Sequence, residues 1–224
     1  MSQEQQWSEV DAYIEGQLLG HDSVLEAALE ASRAAGLPSI AVAPNQGKLL
    51  QLLVQIQGAK RILELGTLGG YSTIWLARAL PRDGRLVTLD LDPKHAEVAR
   101  SNLARAGLSE LVQIRVGRAI DTLGDLVREG APKFDFVFID ADKQSIPEYL
   151  DAILELTSPG SVIVVDNVIR RGAVVDATST DPNVQGVRRF NAKLAQLPTV
   201  SATAVQTVGS KGYDGFALLR VTRP

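Results

Sequence analysis

The stretch "RILELGTLGGYSTIWLARAL", residues 61–80, joins a short apolar run to an amphipathic segment through a glycine-rich turn. It predicts a strand at 61–65 that runs through the turn into a helix. The same alternation continues along the chain, with strands expected at 85–90, 111–116, 134–140 and 161–166 and helical stretches between them. Strands this rich in Val, Ile and Leu, separated by helices, are typical of an α/β protein whose mostly parallel sheet is covered on both faces.

The two ends of the chain depart from this pattern. Near the C-terminus, "TVSATAVQTV" and "GFALLRVT" are joined by the turn-rich "GSKGYD" with no helix between them, which predicts an antiparallel pair at one edge of the sheet. About 60 residues of helical pattern precede the first strand. We therefore expect one domain over residues 1–224, with a helical extension at 1–60 and the α/β core at 61–224. An extension of this size suits a cap over a site or an oligomer interface.

The amino-acid composition excludes several classes of function and of metal site. The 224 residues are 45% hydrophobic and 22% charged, with a net charge of −3, so no basic excess demands nucleic acid. There are no cysteines and only two histidines, which excludes disulfides and thiolate sites and leaves oxygen ligands for any metal, namely Mg²⁺, Ca²⁺ or Mn²⁺. The N-terminus lacks the apolar core of a signal peptide, and no run approaches a membrane span. A cytoplasmic enzyme or binding protein is expected.

The glycine turn lies where a dinucleotide-binding loop would sit, but Leu68 occupies the place of the second glycine of that fingerprint. Glu64, near the end of the first strand, would crowd a pyrophosphate and instead suits a cofactor with an ammonium group and no phosphate. Asp90 ends the second strand, where a carboxylate can accept both hydroxyls of a ribose. The two acids favour S-adenosylmethionine over NAD. The alternative is a tight strand-to-helix turn with a solvated acid.

Four segments together resemble one family. "ILELGTLGGYSTIWLARALP", "FIDADK", "VVDNVIR" and "QTVGSKGYDGFALLRV" are similar, in order and spacing, to the metal-dependent O-methyltransferases of catechol and caffeoyl-CoA type, in their small bacterial branch. The similarity runs from about Ile40 to the C-terminus. It implies the Rossmann-like class I methyltransferase sheet of seven strands in the order 3-2-1-4-5-7-6, with strand 7 antiparallel. It also implies an S-adenosylmethionine pocket lined by Val42, Glu64, Gly66, Thr67, Ser72, Asp90, Ala119 and Asp142.

The stretch "VIVVDNVIR", residues 162–170, runs from a buried strand straight into Asp166 and Asn167. Taken alone, these could be turn residues where a strand meets solvent. In the implied strand order, however, Asp140 and Asp166 end neighbouring strands about 5 Å apart. Two carboxylates this close repel unless a cation or proton lies between them. With the amide of Asn167 they form three oxygen ligands, which predicts an Mg²⁺ site that Ca²⁺ or Mn²⁺ could also occupy.

Lys143 follows Asp140 by three residues. It could be an ordinary solvated lysine. A neighbouring metal cation would disfavour its protonated form, however, and the lysine of this motif is the general base in the resembled family. The implied reaction is methyl transfer to one hydroxyl of a catechol-like small molecule, with Asp140 and Lys143 in the catalytic centre.

The remaining assignments concern substrate contacts, packing and assembly. Arg171 and Tyr213 are candidates for contact with the substrate, although the chain departs from the plant relatives around Arg171. His21 and His95 receive no role, and Trp75 is expected to serve packing. The resemblance and the apolar helical faces "VLEAALEA" and "LLQLLVQI" lead us to expect a homodimer.

Two other functions stay open. Some bacterial relatives methylate a hydroxylated uridine of tRNA, and a cluster of Arg170, Arg171, Arg188 and Arg189 around the mouth of the site would favour this function. The net charge of −3 and the absence of an obvious basic stripe favour a small phenolic substrate instead. A non-enzymatic binding protein that retained the fold is the third hypothesis, disfavoured by the intact acids and lysine.

Overall fold

The computed structural model describes residues 1–223 and contains one seven-stranded sheet flanked by helices. The strands are β1 (Arg61–Leu65), β2 (Arg85–Asp90), β3 (Val112–Val116), β4 (Phe134–Ile139), β5 (Thr157–Asp166), β6 (Val200–Gly209) and β7 (Gly212–Val221). The α-helices are α1 (Gln3–Leu18), α2 (Ser23–Ala34), α3 (Pro44–Gln57), α4 (Tyr71–Ala77), α5 (Pro93–Arg105), α6 (Ala119–Arg128), α7 (Ile146–Glu155) and α8 (Pro182–Leu194). A 3-10 segment occupies Lys143–Ser145, and Arg170–Val175 is a short turn region interrupted by left-handed backbone at Arg171 and Gly172.

The order of the strands is β3-β2-β1-β4-β5-β7-β6, and β7 is antiparallel to both of its neighbours. The predicted fold class, strand order and antiparallel strand are therefore confirmed. Strand β5 begins at Thr157, ahead of the predicted start at residue 161, because Thr157 already pairs with Phe134 and an irregularity that includes Gly160, with a φ of 101°, shifts the register before Val162 pairs with Phe136. Helix α8 was not predicted, although Asp181 caps its first turn and Pro182 begins it.

The core lies on both faces of the sheet. Along β1, Leu63 and Leu65 belong to the layer beneath α6, α7 and α8, whereas Ile62 belongs to the layer beneath α2 to α5. This alternation follows from the two-residue period of a strand. Phe136 and Phe138 of β4 are fully buried, and burial of each contributes about 1.5–3 kcal/mol before entropy costs.

Three helices precede β1, and they differ in how they pack. Helix α3 buries Leu50 and Val54 against the sheet layer, but α1 contains no buried residue. Asp11 attaches α1 to the β6–β7 turn, where its carboxylate accepts a hydrogen bond of 2.7 Å from the backbone N–H of Ser210. Among residues 1–223, no helix combines the length and apolar character that crossing a membrane requires.

The sheet topology creates a crevice at the carboxyl ends of β1 and β4, because the strand order reverses between them. Gly66 follows β1 with a φ of 98°. A Cβ at this position would lie 2.1 Å from the carbonyl oxygen of Asp140, so only glycine allows the two strand ends to approach this closely. Glycine at this position therefore brings the first loop and the Asp140 loop together at one edge.

Candidate active site

A cavity of about 680 Å³ opens at this edge of the sheet. It brings together ten of the residues predicted for the site: Val42, Gly66, Thr67, Ser72, Asp90, Ala119, Asp140, Asp142, Lys143 and Asn167. Four predicted residues are not part of its lining: Glu64, Asp166, Arg171 and Tyr213. Most of the predicted cofactor and metal residues therefore meet in one cavity, whereas Glu64 of the cofactor set and Asp166 of the metal set lie outside its lining.

Glu64 lies behind the cavity wall. It is fully buried, and its carboxylate accepts hydrogen bonds from the hydroxyls of Ser72 (2.7 Å) and Thr73 (2.5 Å) at the start of α4. Burial raises the pKa of this carboxyl to about 7. Because Ser72 does line the cavity, Glu64 can act on a ligand by orienting the serine hydroxyl. Its contribution to cofactor binding stays a prediction.

Asp90 organises the glycine turn as well as lining the cavity. Its Oδ2 accepts hydrogen bonds from the backbone N–H groups of Thr67 (3.1 Å) and Leu68 (2.7 Å), and its Oδ1 accepts one from the N–H of Asp92 (2.9 Å). Leu68 has a φ of 48°, an uncommon conformation for a non-glycine residue. The two hydrogen bonds to the turn hold this conformation, so loss of the Asp90 carboxylate would disturb both the turn and the cavity.

Two residues in the cavity were missed in the sequence. His95 lies in the first turn of α5, and its Nδ1 is 3.1 Å from Oδ1 of Asp90. Tyr149 of α7 donates its hydroxyl hydrogen to Asp142, and burial together with this carboxylate raises the pKa of the tyrosine. The sequence contained a partial signal for His95, because Asp92 and Pro93 mark the start of the helix that contains it, but nothing in the local sequence indicated its contact with Asp90.

The acidic centre contains an ion pair. Nζ of Lys143 lies 2.8 Å from Oδ1 of Asp140, and the lysine is only 7% exposed. Ile139 pairs with Val165 in the parallel register, so Asp140 and Asp166 leave neighbouring strands side by side. Burial and the charge of Asp140 raise the pKa of Asp166 to about 7. The predicted adjacency of these acids is confirmed, and their excess negative charge favours a bound cation.

The oxygen donors fit a hard divalent cation. Within residues 1–223, no three His, Cys, Asp or Glu side chains are placed to hold a metal together. A site here therefore needs the amide oxygen of Asn167 as its third protein ligand beside the two aspartates. Asn167 lines the cavity and has a φ of 57°, a conformation that asparagine tolerates better than most residues.

The two candidate substrate residues lie outside the cavity lining. Arg171 is exposed, and Tyr213 is partly buried beside Gly172 with its hydroxyl donated to Gln206. Arg188 and Arg189 donate hydrogen bonds to the backbone carbonyls of Val174 (2.6 Å) and Gln144 (2.7 Å). These two arginines therefore connect α8 to the segments that contain Val174 and Gln144.

Comparison with known proteins agrees with this arrangement. The family model described as O-methyltransferase matches residues 18–221. A catechol O-methyltransferase of Niastella koreensis is 59% identical over 209 residues, which cover 93% of this chain and 95% of that protein. A catechol O-methyltransferase of Mycobacterium tuberculosis is 52% identical over 221 residues, 99% of each chain.

The fold comparison leads to the same family. The crystal structure of an O-methyltransferase from Bacillus cereus in complex with SAH (S-adenosylhomocysteine) superposes with a TM-score of 0.96 at 56% identity. The superposition covers 97% of this chain and 99% of that one. By its sequence, its strand order and the residues of its cavity, the chain belongs to the O-methyltransferase family of class I, S-adenosylmethionine-dependent enzymes.

Proposed function

We propose that this protein transfers a methyl group from S-adenosylmethionine to one hydroxyl of an aromatic small molecule with two neighbouring hydroxyls. The observation that carries the proposal is that the Asp140–Lys143 ion pair and Asn167 share one cavity with Asp90 and the glycine turn. Two relatives that are 52% and 59% identical and are named catechol O-methyltransferase support the substrate class.

The cofactor would lie along the glycine turn. Ser72, oriented by Glu64, and the residues at the end of β1 would hold the charged methionine end. Asp90 would accept the ribose hydroxyls, while Ala119 and Asp142 would border the base. When bound, S-adenosylmethionine supplies an electrophilic methyl group.

Asp140, Asp166 and Asn167 would hold a divalent cation, with Mg²⁺ the expected metal and Ca²⁺ or Mn²⁺ as alternatives. When bound, the cation supplies Lewis acidity that favours ionisation of a substrate hydroxyl and a template that orients two neighbouring oxygens. Lys143 would accept the hydroxyl proton at Nζ, for which it must first be deprotonated. Its 2.8 Å contact with Asp140 keeps the amine at the edge of the proposed metal site.

Methylation of hydroxyuridine in tRNA is the alternative in another substrate class. An assay with labelled S-adenosylmethionine should compare catechols, flavonoids and undermodified tRNA in parallel, each with Mg²⁺ and with excess EDTA. We expect transfer to the catechols that requires the metal. Transfer to tRNA alone would replace the small-molecule assignment, and full activity in EDTA would remove the metal from the proposal.

Replacement of Asp90 by Ala should weaken binding of S-adenosylhomocysteine by about 10- to 100-fold, since a hydrogen bond to a charged group is worth roughly 1.5–3 kcal/mol. Loss of its bonds to Thr67 and Leu68 adds to the effect. Calorimetry would measure the affinity. Asp92→Ala is the matched control, because Asp92 caps α5 but does not line the cavity. Equal affinities for the Asp90 variant and the wild type would contradict this assignment.

We also propose that the protein forms a homodimer. Exposed apolar side chains occur on α1 (Val10, Tyr13), α3 (Ile56) and β6 (Val205, Val208). Strand β6 is an edge strand whose residues 201–208 are all exposed, and such edges are usually covered in native proteins. Light scattering at micromolar concentration should give twice the chain mass of 24.0 kDa. A monomeric mass would refute the proposal.

A further inference from the structure

The segment that follows the proposed metal ligands has an unfavourable backbone conformation. Asn167, Arg170 and Arg171 have φ values of 57°, 54° and 55°, and Gly172 follows at 87°. Non-glycine residues persist in this region only when their surroundings determine the backbone strongly. Nothing in the local sequence favours two consecutive left-handed arginines, so the constraint must come from another part of the chain.

Strand β7 supplies that constraint. Oδ1 of Asp214 accepts hydrogen bonds from the backbone N–H groups of Ile169 and Arg170, both 3.0 Å long. The carbonyl oxygen of Gly215 accepts one from the N–H of Val168, also 3.0 Å. Three consecutive N–H groups after Asn167 are therefore held by two consecutive residues of β7.

The same strand fixes the other side of Asn167. Asp166, the last residue of β5, pairs with Phe216 in the antiparallel register. Asn167 thus lies between Asp166, which is held by Phe216, and Val168, which is held by Gly215. With both neighbours fixed by adjacent β7 residues, the backbone of Asn167 has little freedom, and the position of its amide depends on this attachment.

Close packing reinforces the attachment. A Cβ at Gly215 would lie 2.2 Å from the carbonyl oxygen of Val205 and 2.7 Å from Cγ1 of Ile169. Val168 and Ile169 are themselves buried, at 1% and 9% exposure. Asp214 is therefore the one side chain in this contact whose removal would free two backbone N–H groups without creating a steric clash.

We propose that Asp214 is a positioning residue for the metal centre: by holding the N–H groups of Ile169 and Arg170, it fixes the conformation in which Asn167 faces the cavity with Asp140. The inference rests on the proposed metal function. Asp214 acts on the metal through the backbone of residues 169 and 170, whose N–H groups it holds, and it is neither a ligand nor a catalytic residue.

The test is the affinity of the metal-free protein for Mn²⁺, measured by calorimetry or by electron paramagnetic resonance at a temperature well below the unfolding midpoint of each variant. Asp214→Ala should raise the Mn²⁺ dissociation constant about 10- to 100-fold, the range found when residues that orient ligands are removed. Asp214→Asn should give a smaller increase, because an amide oxygen can still accept both N–H groups. The affinity for S-adenosylhomocysteine should change less than twofold in both variants.

Asp181→Ala is the matched control. Asp181 also accepts a backbone N–H, that of Asn183 (2.8 Å), and caps α8, but it does not hold the 168–170 segment. It should lower the unfolding midpoint and leave the Mn²⁺ dissociation constant unchanged. If Asp214→Ala lowers stability in the same way without weakening Mn²⁺, the role of Asp214 is structural only and the inference is wrong.

If Asp214→Ala does not fold, Asp214→Asn decides the question by the same comparison, and an unchanged Mn²⁺ affinity overturns the inference. A wild-type protein that binds no Mn²⁺, or that binds it as well as Asp166→Asn does, would overturn the proposed metal centre and this inference with it. Weaker Mn²⁺ binding by Asp166→Asn, with unchanged binding by both Asp214 variants, would refute the role of Asp214 alone.

Discussion

Asp166→Asn should reduce metal-stimulated methyl transfer by about 10³-fold, since a bound cation contributes several kcal/mol to catalysis and each 1.36 kcal/mol is a factor of ten. The substitution keeps the shape of a side chain that is only 6% exposed and removes its charge. It should weaken Mn²⁺ binding and leave binding of S-adenosylhomocysteine within twofold, because Asp166 does not line the cavity that contains Asp90 and the glycine turn.

The same variant should be more stable than the metal-free wild type. Asp166 is buried beside the charge of Asp140, and removal of one of two like charges relieves their repulsion. Thermal unfolding in EDTA at pH 8 would show a higher midpoint for Asp166→Asn. Asp83→Asn is the control, since Asp83 is exposed and precedes β2 at the opposite edge of the sheet. An Asp166→Asn enzyme with wild-type metal activation would remove Asp166 from the ligand set.

Lys143→Met should reduce kcat by about 10²- to 10⁴-fold, the usual contribution of a positioned general base. Methionine preserves most of the buried stem and removes only the amine. Without the cation beside Asp140, the site becomes more negative, so Mn²⁺ should bind more tightly than in the wild type. Lost turnover with stronger metal binding is the opposite pattern to that expected for loss of a ligand.

The control for this variant is Lys60→Met, because Lys60 is exposed and pairs with Asp83 far from the cavity. It should match the wild type in kcat and in Mn²⁺ affinity. If Lys143→Met retains kcat within about threefold, which is far less than the loss of a general base causes, proton transfer does not depend on this lysine.

Much of the architecture could be predicted from the sequence, because strand–helix alternation and the resemblance of four motifs fix the strand order. The placement of Asp140 beside Asp166 followed from that order, and the register of Ile139 with Val165 confirms it. That Asp140 and Asp166 bind a metal stays a prediction. Helix α8 was missed although Val184, Val187 and Phe190 recur at three-residue intervals, the spacing of one helix face, so the sequence did contain a signal for it.

The sequence did not predict which side chains line the cavity and which lie buried behind its wall. Glu64 was expected to contact the cofactor, but it shares the strand face of Ile62, and α4 covers that face. The helices that contain His95 and Tyr149 were predicted, but their contacts with Asp90 and Asp142 were missed, because the orientation of a helix on the sheet does not follow from local pattern. Asp214 likewise acts on residues 169 and 170 through two side-chain hydrogen bonds, which join positions 45 and 44 residues apart in the sequence.

The central claim is that two neighbouring substrate oxygens are held beside Lys143 by a metal on Asp140, Asp166 and Asn167. The measurement that tests it most directly is kcat/KM for caffeic acid against ferulic acid and para-coumaric acid, at saturating S-adenosylmethionine and Mg²⁺. Caffeic acid has two adjacent hydroxyls, whereas each of the others has a single free phenol. We predict a kcat/KM at least about 100-fold higher for caffeic acid, since a lone phenol loses the second oxygen that orients the reacting one. Equally efficient methylation of para-coumaric acid would contradict the account.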